Sequence, residues 1–418
     1  MFDEESWAAL HVRYDKFQVR KAITIYIDAE KPPYPLSDMS SSEVQEKFIQ
    51  LLKEPYDQWL LPKAAVKGVI EKFTDYKYSW ANSGIGIVDA SSHFNVISDY
   101  FMQFNRMGCG CWSMKAPREY WETPGQSWKF LAPAWRLGQK RLDAGVYVNC
   151  FRLGFYIATQ FKLPVAKTMY EMTKAKNIID TSAGWGDRMA AFYASRGTEV
   201  YHGCDPNDTN FPVYLKMAQA YEQILGCDNP EIEQGPDYFV IRGKKTVRID
   251  RKPSEDMDWT VMGLHGKYDT MFTSPPYFAT ELYNKTGEHW EDQSWARYKT
   301  YEDWRDGFYY TTVDKVFAAL RPGGYMIVNI MDPVVKGKRY PAGADLVDHV
   351  GIEHFGGLIG MRIMQRPQSL TFFEDGRKGL QEFMSKIYFE PVYVFRKPGC
   401  GPTEDFFRNN TTLEGLFE

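Results

Sequence analysis

From residue 177 onward the chain repeats one short unit, an apolar run that ends at an acid or a turn and is followed by a helical stretch. The runs are "NIID" (177–180), "EVYHGCD" (199–205), "KTVRID" (245–250), "YDTMFTSPPY" (268–277) and "YMIVNIMD" (325–332). Between them lie stretches of helical spacing such as "DRMAAFYASR" and "YEDWRDGFYYTTVDKVFAALRPGG". Strands this apolar are covered on both faces, and parallel strands need crossover helices to join them. The pattern predicts an α/β fold, a doubly wound and mostly parallel sheet. "GLIGMRIMQR" and "KIYFEPVYVFRKP" read as a final pair, with the last strand antiparallel. Such sheets bind ligands at the carboxyl ends of their strands, beside the point where strand order reverses. The loops that follow Asp180, Asp205 and Thr273 should converge there.

A chain of 418 residues is long enough for this sheet and a further domain or large extension. The expected division is 1–145 as an aromatic-rich N-terminal α+β part, 146–397 as the sheet domain and 398–418 as a tail. "SSEVQEKFIQLLKEPYDQWLL" reads as a helix with a serine cap in the first part. The net charge of −4 gives no global basic field, so a polyanion would have to be held by local patches. Aromatic residues make up 16% of the chain, which serves cores first and leaves some for stacking on flat ligands. No run reaches membrane-spanning length, and "MFDEESWAAL" is acidic where a secretory signal is basic, so a cytoplasmic protein with no membrane partner is expected. Only Cys109 and Cys111 among six cysteines are close, without zinc-ligand spacing, so no metal is expected.

"IIDTSAGWGDR" sets Gly184 and Gly186 where a strand turns into a helix. Glycine permits a sharp turn and close approach of backbone to ligand, and a helix N-terminus favours an anionic group. Asp205 ends the next strand, 19 residues after Gly186, where α/β folds set an acid for ribose hydroxyls. Position 189 is Met, which breaks G-x-G-x-x-G, and there is no P-loop. Neither pyrophosphate nor triphosphate has its usual cradle. A nucleoside bearing a carboxylate and no phosphate fits, and S-adenosyl-L-methionine is such a ligand.

With "DTSAGWG", "CDPN" and "TSPPYF" in this order, the chain resembles the S-adenosylmethionine-dependent DNA amino-methyltransferases, the N4-cytosine and N6-adenine enzymes of phages and restriction-modification systems. The resemblance covers about residues 146–397. It implies a Rossmann-like class I methyltransferase sheet, and a host cytoplasm if the chain is phage-encoded. Ser274-Pro275-Pro276-Tyr277 matches the family's catalytic tetrapeptide, and serine at its first position favours N4 of cytosine over N6 of adenine. "QFKLPVAK" (160–167) is similar to the family's cofactor helix, which makes Phe161 a candidate pocket wall. By the same resemblance Asp180, Thr181, Ser182, Gly184, Gly186, Asp205 and Asp250 line the cofactor, with Asp256 an alternative to Asp250.

An exocyclic amine is a poor nucleophile because its lone pair is delocalised into the ring. Acceptors from the Ser274 side chain and the Pro275 carbonyl can hold its hydrogens and aim the lone pair at the methyl group. Consecutive prolines make that loop rigid. Tyr277 would stack on a base flipped out of its helix. "FATELYNKTGEHWEDQSWARYKT" reads as a loop that closes on the base, and "PVVKGKRYPAG" (333–343), Arg362, Arg366 and "GRK" (376–378) as phosphate contacts. Pro32-Pro33-Tyr34 repeats the letters without the context, since Lys31 stands where an acceptor is required, and reads as a plain turn. The alternatives are an RNA base amino-methyltransferase and a non-catalytic nucleic-acid-binding protein on the same fold. Oligomeric state and recognition sequence are not legible.

Overall fold

A computed structural model describes residues 2–59, 85–111, 114–129, 131, 141–285, 287–363 and 388–399. Arg366, residues 376–378 and most of 398–418 lie outside the described residues.

The strands are β1 Ile85–Asp89, β2 Gly110–Cys111, β3 Asn177–Asp180, β4 Val200–Cys204, β5 Glu231–Gln234, β6 Tyr238–Arg242, β7 Thr246–Asp250, β8 Tyr268–Thr273, β9 Glu281–Leu282, β10 Leu320–Asn329, β11 Val334–Val335, β12 Lys338–Arg339, β13 Phe355–Ile363 and β14 Tyr388–Arg396. Ten of them form one sheet in the order β1-β13-β14-β10-β8-β3-β4-β7-β6-β5. β3 pairs in parallel with β4 on one side and with β8 on the other, and the parallel run extends through β7 and β10. β14 lies antiparallel between β10 and β13. This is a doubly wound, mostly parallel sheet, with its antiparallel last strand inserted beside the fifth of the central strands. The sequence patterning also anticipated the five central strands. It did not anticipate the antiparallel edge strands β5 and β6, or β1, which pairs in parallel with β13.

The principal helices are α1 Glu4–Arg13, α2 Lys16–Glu30, α3 Ser41–Lys53, α4 Val96–Met107, α5 Pro117–Glu122, α6 Ala144–Gly154, α7 Leu163–Met172, α8 Asp187–Tyr193, α9 Phe211–Ile224, α10 Thr311–Ala319 and α11 Ala342–Val350. Successive strand residues face opposite sides, so Ile178, Phe272 and Ile327 enter the core under α7, α8 and α9, while Ile179, Met271 and Met326 enter the core under α10 and α11. The first core also takes Phe48 from α3, Val88 from β1 and Ile97 and Met102 from α4. Phe48 stacks on Tyr221 at 5.2 Å, and the Tyr221 hydroxyl donates to the Ile97 carbonyl at 2.9 Å. A third cluster joins α1, α2, α5 and α6 around Trp7, Trp121, Tyr147 and Phe151. Pro32-Pro33-Tyr34 belongs to it: Tyr34 is buried and meets Trp121 edge to face, and Trp121 Nε1 donates to the Pro32 carbonyl at 2.6 Å. Ser40 caps α3 by accepting from the Glu43 amide.

Candidate active site

The loop leaving β3 is held from inside by Asp180. This fully buried carboxylate accepts from Arg188 Nε at 2.8 Å and Nη2 at 3.1 Å, from the Tyr201 hydroxyl at 2.5 Å and from the Ser182 amide at 3.1 Å. Arg188 also donates to the Ser182 carbonyl, and its guanidinium lies 5.2 Å from the Phe161 ring centroid. Asp180 is thus the counter-ion that folds the turn, and its oxygens are occupied. Burial alone would lower the Arg188 pKa, but the Asp180 charge and hydrogen bonds outweigh it and raise it.

Gly184 and Gly186 have φ of +58° and +74°, the left-handed region in which glycine is unstrained. A Cβ on Gly186 would stand 2.6 Å from Met217 Cε. The Gly184 amide donates to Asp205 Oδ2 at 2.8 Å, and the Asn207 amide to Oδ1 at 2.9 Å. Burial pushes the Asp205 carboxyl up to about 6, against the pull of these two amides. The Tyr214 hydroxyl is a third partner, and a carboxylate has acceptor capacity beyond three donors. Thr181 bridges this loop to the next strand, its hydroxyl donating to Thr273 Oγ1 at 2.9 Å, and Ser182 Oγ donates to the Thr181 carbonyl at 2.8 Å. Phe161 meets Phe272 of β8 edge to face at 5.4 Å, and its amide donates to Asp187 Oδ2 at 3.0 Å.

Asp250 ends β7, yet its carboxylate is taken up by Arg248 at 2.7 and 2.8 Å and by His202 Nε2 at 2.9 Å. Its main chain meets the end of β4 instead, the carbonyl accepting from the Asp205 amide at 3.1 Å. Asp256 is exposed and pairs with Arg297 at 2.8 Å.

Ser274–Tyr277 follows β8 directly, one strand from the glycine loop. Ser274 Oγ and the Tyr277 hydroxyl lie 3.2 Å apart, and that hydroxyl reaches Asn329 Oδ1 at 3.2 Å. Asn329, at the end of β10, donates in turn to the Pro391 carbonyl at 3.1 Å. The chain then turns sharply: Phe278 has φ +49°, and its amide donates to the Pro276 carbonyl at 3.0 Å. A phenylalanine holds that conformation only where its surroundings over-determine it. Here its ring is buried against Tyr301, Trp304 and Tyr340 at 5.8, 6.1 and 5.6 Å. Trp304 begins a π-helical turn, Trp304–Tyr310, that leads into α10.

The segment after the motif is pinned across the loops that follow β3 and β4. Asp208 accepts from Asn284 Nδ2 at 2.6 Å and from the Glu288 amide at 2.9 Å, and Tyr283 lies 5.3 Å from Trp185 of the glycine loop. β9 pairs with β2, so a loop from the N-terminal part walls this side. On the other side, β11 and β12 form a hairpin whose Lys336, Lys338 and Arg339 are exposed. Tyr340 anchors it by stacking on Tyr301 at 4.5 Å.

The chain therefore brings together Phe161, Thr181, Ser182, Gly184, Gly186 and Asp205 with Ser274–Tyr277 at the carboxyl ends of the central strands β3, β4 and β8. The carboxylates of Asp180 and Asp250 are turned to their own cationic partners. Asn329, Glu281, Asp208 and Asn284 were not singled out from the sequence. Asn329 carried one signal, a polar residue inside the apolar run 325–332. Among the described residues no helix is long and apolar enough to cross a membrane, and no group of three His, Cys, Asp or Glu is placed to hold a metal ion.

No protein-family model and no curated protein matches the chain. Among solved structures it is similar to a SAM-dependent O-methyltransferase from Thermotoga maritima, at 12% identity over 58% of this chain and 66% of that one, TM-score 0.30. It is also similar to Trm1 from Pyrococcus horikoshii in complex with S-adenosyl-L-methionine, at 11% identity over 57% of each chain, TM-score 0.33. A third is a Burkholderia thailandensis 1,6-didemethyltoxoflavin-N1-methyltransferase, at 14% identity over 56% of this chain and 78% of that one, TM-score 0.32. The match spans less than two thirds of the Thermotoga and Pyrococcus chains. Similarity this low leaves the chemistry of the site to the geometry of this chain.

Proposed function

We propose that this protein is an S-adenosylmethionine-dependent methyltransferase that modifies an exocyclic amino group of a flipped DNA base, N4 of cytosine ahead of N6 of adenine. The observation that carries the reading is the position of Ser274-Pro275-Pro276-Tyr277 at the carboxyl end of β8, tied through Thr273 and Thr181 to the glycine loop at the switch point of the sheet.

The donor set fits the cofactor. The left-handed backbone at Gly184 leaves room for close approach, that at Gly186 lets the turn pack on Met217, and the Asp205 carboxylate can accept from ribose hydroxyls. Phe161 supplies an apolar wall, and Thr181 and Ser182 line the turn. Asp180 and Asp250 serve by holding Arg188, and Arg248 with His202, in place. When bound, S-adenosylmethionine supplies the electrophilic methyl group and its leaving sulfur.

The rest of the chemistry is positioning. Ser274 Oγ and the Pro275 carbonyl accept the two amino hydrogens of the target base, which directs the nitrogen lone pair outward. Tyr277, anchored by its hydroxyl to Ser274 and Asn329, offers its ring for stacking on the extruded base. Lys336, Lys338 and Arg339 hold backbone phosphates beside the catalytic loop. We assign residues 146–397 to catalysis and target reading to residues 1–145, whose β2 meets the exit of the catalytic loop.

The test is incubation with methyl-labelled cofactor and DNA or RNA, digestion to nucleosides, and identification of the labelled one. The expected product is N4-methylcytosine or N6-methyladenine from DNA, lost when Ser274→Ala is combined with Tyr277→Ala. Label in RNA alone refutes the DNA assignment, and label that survives the double substitution refutes the site. Absence of S-adenosylmethionine binding by calorimetry removes the enzyme reading altogether.

A further inference from the structure

We propose that Glu281 is the proton acceptor of the transfer step and that the hydroxyls of Tyr283 and Tyr156 lead the proton away from it; this rests on the function proposed above. When the amino nitrogen bonds to the methyl carbon, the carbon–sulfur bond breaks and its electron pair leaves with sulfur, so the positive charge passes to nitrogen. The nitrogen then loses one proton. Ser274 cannot take it, because a hydroxyl is not a base near neutral pH, and a tetrapeptide that begins with serine supplies no carboxylate of its own.

Glu281 supplies one from seven residues along the chain. Thr280 folds the segment back by donating to the Tyr277 carbonyl from its amide at 3.1 Å and from Oγ1 at 2.7 Å. The pairing of Glu281 with Cys111 fixes the next residue against the N-terminal loop. From Glu281 a chain of hydroxyls runs outward: the Tyr283 hydroxyl donates to Oε1 at 3.0 Å and lies 3.0 Å from the Tyr156 hydroxyl. Tyr156 is partly exposed, so the relay ends where water can collect the proton.

The groups facing Glu281 are Tyr277 and Tyr283 on its own segment, Glu390 on β14, Cys109 and Cys111 on and beside β2, and Tyr156 before α7. Burial first, with Glu390 adding to it, pushes the Glu281 carboxyl up to about 7, against the pull of the Tyr283 hydroxyl and the Tyr277 amide. A carboxyl poised there both accepts a proton at neutral pH and releases it again. In the relay, Glu281 passes its proton to the Tyr283 oxygen as Tyr283 passes its own to Tyr156 and Tyr156 passes its own to water. For this the Tyr283 hydroxyl turns from Glu281 toward Tyr156; each tyrosine oxygen then ends with the one proton it began with, Glu281 returns to carboxylate, and water carries the proton away.

The experiment compares wild type, Glu281→Gln, Glu281→Asp and Tyr283→Phe in single-turnover methylation from pH 5.5 to 8.5, on the DNA that serves as acceptor. The second readout is a carboxyl titration of the cofactor-free protein by isotope-edited infrared spectroscopy, which needs no turnover. Wild type should speed up as pH rises through about 7, and a carboxyl band titrating near there should vanish in Glu281→Gln. That variant should bind cofactor as wild type does yet lose roughly 10²–10⁴-fold in rate with a flat pH profile. Glu281→Asp should recover part of the rate, and Tyr283→Phe should lose less than Glu281→Gln. A Glu281→Gln rate and pH profile that match an active wild type overturn this inference and leave the proposed function standing. A wild type inactive on both DNA and RNA overturns that function and this inference with it.

Discussion

Asp180 ends β3, a central strand of a sheet whose strand-end acids are expected to bind ligand, yet its oxygens are bonded to protein. Replacing it with alanine separates the two roles. Asp180→Ala strands the Arg188 guanidinium, which is 4% exposed, without the counter-ion that both of its bonded nitrogens face, and leaves it the Ser182 carbonyl and the Phe161 ring. Removing one partner of a buried ion pair costs about 3–5 kcal/mol, mostly as the penalty of a buried charge without its counter-ion. The Tyr201 hydroxyl and the Ser182 amide lose their acceptor too, at about 1 kcal/mol each, which sets the expectation at the upper end of that range. For a domain of this size such a loss lowers the melting temperature by on the order of 10 °C. Replacing both partners by apolar residues, Asp180→Leu with Arg188→Met, removes the stranded charge and should return the protein to within about 2 kcal/mol of wild type. Scanning calorimetry on wild type, the two single variants and the pair gives the coupling directly. A single Asp180→Ala variant that melts within about 2 °C of wild type refutes the structural role, and so does a double variant whose loss equals the sum of the singles.

The same loop carries two further expected outcomes. Gly186→Ala should cost about 1–2 kcal/mol, because alanine is strained at φ +74° and its Cβ displaces Met217 Cε; Gly184→Ala, at φ +58° with nothing nearer than 3.6 Å, should cost less, and thermal melts rank the two. Burial raises Asp205 from 3.8 to about 6, so the native protein holds this proton longer than the unfolded chain does. Its contribution to stability is full below about pH 4 and is lost as pH rises through about 6. Asp205→Asn should remove that slope from urea midpoints measured between pH 4 and 7, and an unchanged slope assigns it to other groups.

The central strands were legible because short apolar runs such as Ile178-Ile179 and Met326–Val328 alternate with stretches of helical spacing. The edge was not legible for the converse reason. Every residue of β5, Glu231–Gln234, is exposed, and its sequence carries no alternation to find. β1 pairs with β13 across more than 260 residues, a contact that no local pattern encodes. The strand-end acids show a different limit. Asp180, Asp205 and Asp250 have the same sequence signature, but Arg188 lies eight residues after the first and Arg248 two residues before the third, while Asp205 meets two backbone amides and the Tyr214 hydroxyl. Which acid keeps spare acceptor capacity is decided by the cations that folding brings beside each. The segment after the motif was expected to be a closing loop. In the structure Asp208 and Trp185 hold it over the glycine loop, and both come from loops that follow strands other than its own.

The two Pro-Pro-Tyr copies show what the tetrapeptide depends on. At Pro32 the carbonyl is consumed by Trp121 Nε1, and the tyrosine is buried in a cluster of helices with its hydroxyl 3.9 Å from Met107 Sδ. That arrangement needs only bulk and a turn. At Pro275 the tyrosine hydroxyl is held between Ser274 and Asn329, two polar groups that end adjacent parallel strands, and the strained Phe278 that follows is fixed by three aromatic rings. Such a loop is stiff before any ligand arrives, which is what a reaction governed by positioning requires. The same stiffness leaves the motif little freedom to accommodate a proton, and Glu281, returned to the motif by the Thr280 turn, is the carboxyl that the segment brings back to it.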